Sequence, residues 1–247
     1  MLRYLLGHEK VRNYDGSWTE RAPDRRAHRK RLAAQPHHVR VGITREDMVE
    51  QLKRLGISDP RVLAAMAAVP RERFVRDEHR DVAYGDHALP IGLAQTISQP
   101  YIVARMTELL DVRPGHHVLE IGTGSGYQAA VLSALAGDVV SVERHPALAD
   151  EARARLARIG YANITVVNED ASLGYPDAAP YDRILVTAAM PQIAPELASQ
   201  LFPGGLIVAP VGDEELQELV VRDASGRERR HGAVRFVPLR GEAGFEP

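Results

Sequence analysis

Apolar positions along the chain follow two periodicities. Between Thr44 and Val69 they recur at helical spacing: Met48, Leu52 and Leu55 form one face, and Val62, Leu63, Met66 and Val69 another. Thr44-Arg45-Glu46-Asp47 reads as a capping box opening the first helix, and Gly56 as its stop. Asp59-Pro60 opens a second helix that Pro70 ends. The pair is expected to be a cap packed on the main sheet. From Val118 onward, short apolar runs alternate with amphipathic stretches. Val118–Ile121, Val139–Val142, Ile164–Val167, Tyr181–Thr187 and Leu206–Val211 read as strands. Helices are expected over Gln128–Ala136, Pro146–Ile159 and 193–201. Such alternation predicts a parallel sheet wound on both faces. After Val211 it stops. Leu216–Val221, a turn at Ser225-Gly226 and Val234–Leu239 read as a terminal antiparallel hairpin, which makes the sheet mixed.

The first of these strands runs into Gly122-Thr123-Gly124-Ser125-Gly126-Tyr127. Glycine admits positive φ and close approach of a ligand to the main chain. The helix that follows is expected to offer free N–H groups there. In open α/β sheets this turn is where nucleotide-like cofactors bind. The dinucleotide pattern G-x-G-x-x-G/A fails when counted from Gly122, because Tyr127 holds the third place. Counted from Gly124 it passes, with Gly126 and Ala129. The glycines alone therefore leave NAD and S-adenosylmethionine both open. Glu120, just before the turn, is placed to face the charged methionine end of S-adenosylmethionine. Glu143 ends the next strand roughly twenty residues on, where a carboxylate meets ribose hydroxyls. Asp170 follows the third strand and is either a turn residue or a contact to the adenine amino group.

Between cap and turn lies a loop-rich stretch, Tyr84 to Gln99. Ser98 is placed to cap a helix that has Pro100 in its first turn and continues to Leu110. Spacing alone leaves two roles for its hydroxyl, capping or a place in a site beside the glycine turn.

Composition narrows the classes. The chain has 247 residues, enough for one sizeable core or a domain plus an appendage. A formal net charge of −2 gives no global field toward nucleic acid or membrane. There is no cysteine, so disulfides, thiolate metal sites and a cysteine nucleophile are excluded. No apolar run approaches membrane-spanning length and no signal-peptide pattern opens the chain, so a cytoplasmic protein is expected. His37-His38 and His116-His117 are paired, but neighbours on a strand face opposite ways, and no metal site is expected.

The first forty residues differ from the rest. Tyr4, Tyr14 and the only tryptophan, Trp18, precede a basic run of Arg21, Arg25, Arg26, Arg29, Lys30 and Arg31 with little apolar periodicity. Without interleaved aromatics the run reads as a solvated tail rather than an RNA-binding arm. Leu5-Leu6-Gly7 and Val11 to Glu20 resemble the C-terminal end of a rhodanese-type sulfurtransferase. The rest of that domain and its cysteine are absent, so sulfur transfer is not implied. Residues 1–41 are expected to be a poorly ordered extension, a fusion remnant or the product of an early start codon, dispensable for activity. Residues 42–247 are expected to form one domain, with the helical cap at 42–80 and the catalytic core at 81–240.

Residues 44 to 240 resemble the protein-L-isoaspartate O-methyltransferases. The resemblance is carried by Leu89-Pro90-Ile91-Gly92, Gln95-Thr96-Ile97-Ser98-Gln99-Pro100-Tyr101, Val118 to Gln128, Ser141-Val142-Glu143-Arg144, Ala179-Pro180-Tyr181-Asp182, Val186-Thr187-Ala188-Ala189 and Phe236-Val237-Pro238-Leu239. The glycine turn is shared by many methyltransferases, whereas the Thr-Ile-Ser-Gln-Pro segment is narrower. The resemblance implies a Rossmann-like S-adenosylmethionine-dependent methyltransferase, α/β, with a mostly parallel doubly wound sheet, a C-terminal hairpin and an N-terminal helical cap.

It implies methyl transfer to the free carboxylate of L-isoaspartyl residues, and of D-aspartyl residues too, in damaged proteins, leaving S-adenosylhomocysteine. Ser98 becomes the catalytic hydroxyl. Thr96, Ile97, Ser98, Glu120, Gly122, Thr123, Gly124, Gly126, Tyr127, Glu143, Arg144, Asp170 and Ala171 become cofactor contacts, and Leu89, Pro90, Ile91, Val237, Pro238 and Leu239 substrate contacts. The expected partners are isoaspartyl proteins and peptides, not nucleic acid or membrane, met by a monomer. Alternatives are another methyl acceptor or a non-catalytic binding module. Three positions depart from the family: Ala94 replaces a usual glycine, Glu169-Asp170-Ala171 a usual Gly-Asp-Gly, and Met190 lies near a usual proline. An alanine at 171 is costly only where φ is positive.

Overall fold

A computed structural model describes residues 42–246. The N-terminal features noted above, including His37-His38 and the sulfurtransferase-like segment, lie outside the described residues.

The cap is α1 (Arg45–Arg54) and α2 (Pro60–Ala68). The capping box is present: Asp47 N–H donates to the Thr44 hydroxyl and Thr44 N–H to the Asp47 carboxylate. Asp59 caps α2 by accepting from Arg61 N–H at 2.8 Å. Their apolar faces, Met48, Leu52, Val62 and Met66, enter a core shared with Tyr127, Ala130 and Val131 of the helix after the glycine turn. The cap therefore rests largely on helices rather than on the strands it was expected to cover.

Next come β1 (Leu89–Gly92) and β2 (Gln95–Ile97), an antiparallel hairpin where only loop was expected. Its two turn residues, Leu93 and Ala94, have φ of 51° and 55°. Tight hairpins demand this left-handed backbone, which favours glycine. Ala94 thus sits strained where the family has glycine. Ala94→Gly should raise unfolding free energy by about 0.5–1 kcal/mol, relief of left-handed strain outweighing lost backbone entropy. Urea titration checks this, and a loss of stability would contradict it.

α3 (Pro100–Leu110) leads into the seven-stranded sheet. Its strands are β3 (His117–Ile121), β4 (Asp138–Val142), β5 (Ile164–Val167), β6 (Tyr181–Val186), β7 (Leu201–Gly212), β8 (Gln217–Asp223) and β9 (Glu228–Val234). They lie in the order β5-β4-β3-β6-β7-β8-β9, parallel through β7 and antiparallel beyond it. Chain order reverses between β3 and β6, which opens the crevice where such folds bind ligands. Side chains alternate across the sheet: Leu119, Ile121, Ile184, Val186 and Ile207 fill one core, and Val118, Leu185 and Val208 fill the other with Met106 and Leu110 of α3. The remaining helices are α4 (Tyr127–Ser133), α5 (Pro146–Ile159) and α6 (Pro195–Ala198).

Two boundaries differ from the sequence reading. The helix expected over 193–201 is confined to α6, because Leu201 already pairs with Tyr181 in the sheet. The last strand was expected at Val234–Leu239 and lies instead at β9. Its edge position leaves it mostly exposed and polar, so no apolar alternation marks it. Phe236, Val237 and Leu239 are apolar for another reason. They form a strap, with Ala189 N–H donating to Val237 O and Leu239 N–H to Ala189 O.

Candidate active site

Three cavities line the crevice and share walls. The largest, about 400 Å³, is bounded by Ala88, Thr96, Ser98, Gln99, Thr187, Glu214 and the strap residues Val234 to Pro238. A second runs from Thr96, Ile97 and Ser98 along Gly122, Thr123, Gly124, Ser125 and Tyr127, under Ile102 and Met106. The third contains Gly122, Glu143, Arg144, Asp170, Ala171, Pro238 and Leu239. Ser98 and Thr96 belong to the wall common to the first two.

The glycine turn is tightly built. Gly122, Gly124 and Gly126 all have positive φ, and a Cβ on Gly122 would sit 2.4 Å from Thr187 Oγ1. The Thr187 hydroxyl lies 2.6 Å from Gly122 O and 2.9 Å from Ile121 O, joining the ends of β3 and β6. The N–H groups of Gln128 and Ala129 at the start of α4 have no acceptor among the described residues, as expected, whereas most of the turn's own amides are taken. Gly122 and Thr123 donate to Val142 O, Gly126 to Thr123 O, and Gly124 to Glu143 Oε2 at 2.9 Å. These amides are satisfied by the turn's own closure onto β4. A pyrophosphate would need them unpaired, whereas a cofactor without phosphate would not.

Glu143 is buried at the head of β4, with its carboxylate holding Gly124 N–H and His145 N–H, each at 2.9 Å. Two bonds leave further lone pairs free, enough to take ribose hydroxyls. Glu143→Ala should weaken S-adenosylmethionine binding by about 1–3 kcal/mol. Unchanged affinity by calorimetry would reject this role. Asp170 accepts from Ser172 N–H and Glu242 N–H. Its partial burial works to raise its pKa, but these bonds and nearby Arg144 outweigh it and hold the carboxyl below its usual range. Ala171 is buried and is not among the positive-φ residues, so the missing glycine costs no strain there. Met190 is buried and donates its N–H to Pro210 O, a bond that proline could not make.

Several expected contacts fall elsewhere. Glu120 does not face the crevice. It alternates onto the inner face of β3 with Val118, is fully buried and lies opposite Ser141 in register. The Ser141 hydroxyl donates to its Oε2, while Oε1 has no partner, and Thr123 Oγ1 lies 2.6 Å from Ser141 Oγ. Glu120 thus braces the turn from behind. Leu89 and Ile91 point into the core under the cap, because β1 packs that face inward. Pro90 is exposed and borders none of the three cavities; Ala88 is the residue of that segment that does. Val237 and Pro238 wall the largest cavity, and Pro238 and Leu239 border the third, on the Asp170 side. The Tyr127 ring is buried against Phe74, although the residue also borders the second cavity.

Ser98 does not cap α3. The N-cap is Gln99, without a side-chain cap bond, and the Asp86 carboxylate takes Tyr101 N–H at 2.8 Å instead. Among the described residues no group accepts from or donates to the Ser98 hydroxyl, which is left on the crevice wall. Of the two roles left open for Ser98, capping of α3 is thereby removed. His116 and His117 have separate partners, Arg113 N–H for the first and Asp138 with Ala178 O for the second. Among the described residues no cluster of His, Asp and Glu is arranged for a metal.

A family model described as Protein-L-isoaspartate(D-aspartate) O-methyltransferase matches residues 43–244. The chain belongs to this family. A protein-L-isoaspartate O-methyltransferase of Koribacter versatilis is 51% identical over 220 residues, which are 87% of this chain and 99% of the relative. That of Methanopyrus kandleri is 54% identical over 211 residues, 82% of this chain and 93% of the relative. Among solved structures, a protein-L-isoaspartate O-methyltransferase superposes with a TM-score of 0.73 at 29% identity, over 81% of this chain and 67% of that one. The fold also matches the Plasmodium falciparum protein solved with S-adenosyl-L-homocysteine, with a TM-score of 0.69 at 22% identity. It covers 79% of this chain and 98% of that one. The isoaspartate methyltransferase resemblance of Ser98 and its neighbours thus extends across the whole described domain. Neither Thr187, which locks the turn, nor Phe236, which lines two cavities, was picked out individually as a site residue. Both lie inside segments that carry the family resemblance.

Proposed function

We propose that this chain methylates the free carboxylate of L-isoaspartyl residues in damaged proteins, with D-aspartyl residues as further substrates, using S-adenosylmethionine. The observation that carries the reading is the unpartnered Ser98 hydroxyl on the wall common to the glycine-turn cavity and the 400 Å³ cavity. The turn and Glu143 would hold the methionine and ribose portions, and Asp170, Ala171 and Leu239 the adenine side. When bound, the cofactor supplies a methyl group on a positively charged sulfur.

An isoaspartyl carboxyl is already ionised at neutral pH, with an unperturbed pKa near ~4. No general base is needed. Ser98 donates a hydrogen bond to one carboxylate oxygen and leaves the other free to attack. Ile102, Val103, Met106 and Phe236 line the crevice with apolar surface, which excludes water and favours the union of opposite charges. The strap from Val234 to Pro238 forms the wall against which the peptide backbone lies. The reading includes a monomer acting in the cytoplasm on proteins rather than nucleic acid. Among the described residues no helix is long and apolar enough to cross a membrane.

The test is transfer of labelled methyl to matched isoaspartyl and aspartyl peptides. Labelling of the isoaspartyl peptide alone is expected. Equal labelling, or cofactor binding without product, would overturn the reading.

A further inference from the structure

Arg71 stands first among the largest fully buried side chains, with no exposed surface at all. It sits just after Pro70, in the short turn of helix Arg71–Arg73 that follows the cap. Its guanidinium reaches three separate parts of the chain. Nε donates to Ala83 O and Nη2 to Ser98 O, each at 2.7 Å. The guanidinium carbon lies 4.8 Å from the centroid of the Tyr127 ring. Tyr127 is the first residue of α4, immediately after Gly126 of the glycine turn. Nη1 has no partner.

Core packing alone does not account for this arrangement. A charge taken wholly out of water is costly, and an apolar side chain of similar volume commonly stabilises more. Here the burial lowers the guanidinium's pKa, and one donor is left unsatisfied. What the planar fork provides is geometry. Two N–H groups at a fixed angle hold carbonyls fifteen positions apart in sequence, while the flat face packs on Tyr127. The Ser98 peptide and the start of α4 are thereby referenced to one rigid group. Ser98 lines the crevice, and its carbonyl is held by Arg71.

We propose that Arg71 is a positioning residue for the methyl transfer: it fixes the Ser98 backbone relative to the cofactor turn and so sets where the Ser98 hydroxyl meets the carboxylate. This inference rests on the reading of Ser98 given above. Arg71 touches neither substrate nor cofactor and acts only through Ser98 and Tyr127.

The test is a double-variant cycle with Arg71→Lys and Ser98→Ala in the full chain. Lysine keeps the charge but cannot donate to both carbonyls at once. Arg71→Lys should lower kcat on an isoaspartyl peptide tenfold or more, with S-adenosylmethionine Kd within twofold by calorimetry. On the Ser98→Ala background the same change should lower kcat by less than twofold, because the hydroxyl being positioned is gone. A loss that multiplies in the double variant, an unchanged kcat, or a cofactor affinity that falls as far as kcat would overturn the proposal. If Arg71→Lys does not fold, Arg71→Gln, which buries no ammonium, is measured in the same way. Failure of both to fold makes Arg71 a folding residue and also overturns it. An unchanged kcat in Ser98→Ala alone would instead remove the reading on which the inference stands.

Discussion

Ser98→Ala is expected to lower kcat on an isoaspartyl peptide about 10²-fold while leaving S-adenosylmethionine affinity within twofold. The size follows from what a single orienting donor is worth when the reaction is governed by alignment. The carboxylate needs no deprotonation, so the enzyme contributes position and dryness, and loss of position is felt at the chemical step. Cofactor affinity is spared because Glu143 and the turn from Gly122 to Gly126 hold the larger part of that ligand's surface. Ser98 is free for this work because Asp86 caps α3 in its stead. Steady-state kinetics on saturating cofactor, with calorimetry on the same preparation, measures both halves. Turnover equal to that of the parent would remove Ser98 from the mechanism.

Glu120→Gln is expected to stabilise the cofactor-free protein increasingly as pH rises. Burial is the main cause that pushes the Glu120 carboxyl up to about 8 from an ordinary 4.5, with the Glu143 charge adding and the Ser141 hydrogen bond opposing. Between those values the folded chain holds a proton that the unfolded chain has released. Stability of the parent therefore falls as pH climbs from about 4.5 to about 8, and levels off above it. Glutamine has no proton to lose, and its carbonyl oxygen can still accept from Ser141. The variant's advantage should be small near pH 5 and grow toward pH 8.5. Each tenfold difference in proton affinity between the folded and unfolded chains is worth about 1.4 kcal/mol, so a rise from 4.5 to about 8 puts the full advantage on the order of 5 kcal/mol. Urea unfolding of both proteins across that range reads the difference directly. A difference independent of pH would show that Glu120 is ionised in the folded chain throughout.

Much of the site was legible in the sequence because its residues lie where chain order and strand ends place them. The glycine turn, Glu143 and Asp170 each follow a strand at the same edge of the sheet, and that edge is implied by βα alternation alone. Ser98 was visible through its neighbours. What escaped notice depends on contacts between distant segments. Arg71 and Arg73 flank one glutamate in a polar run, and nothing local tells which of them turns inward. Asp86 sits in Tyr84-Gly85-Asp86-His87, which reads as a turn, although it caps a helix fifteen residues on. Glu120 was misplaced for a related reason. Its position before the turn suggested the crevice, but strand alternation sends it inward, and only the register with β4 shows Ser141 waiting for it. The closing strand of the hairpin was placed too late, at Val234–Leu239, because β9 at the sheet edge is mostly exposed and carries no apolar alternation.

That same outermost strand exposes Glu228, Arg229 and Arg230. Damaged chains are sticky company, and an open row of amides invites them to stack and grow into fibrils. Guanidinium groups along the rim make such adhesion unfavourable.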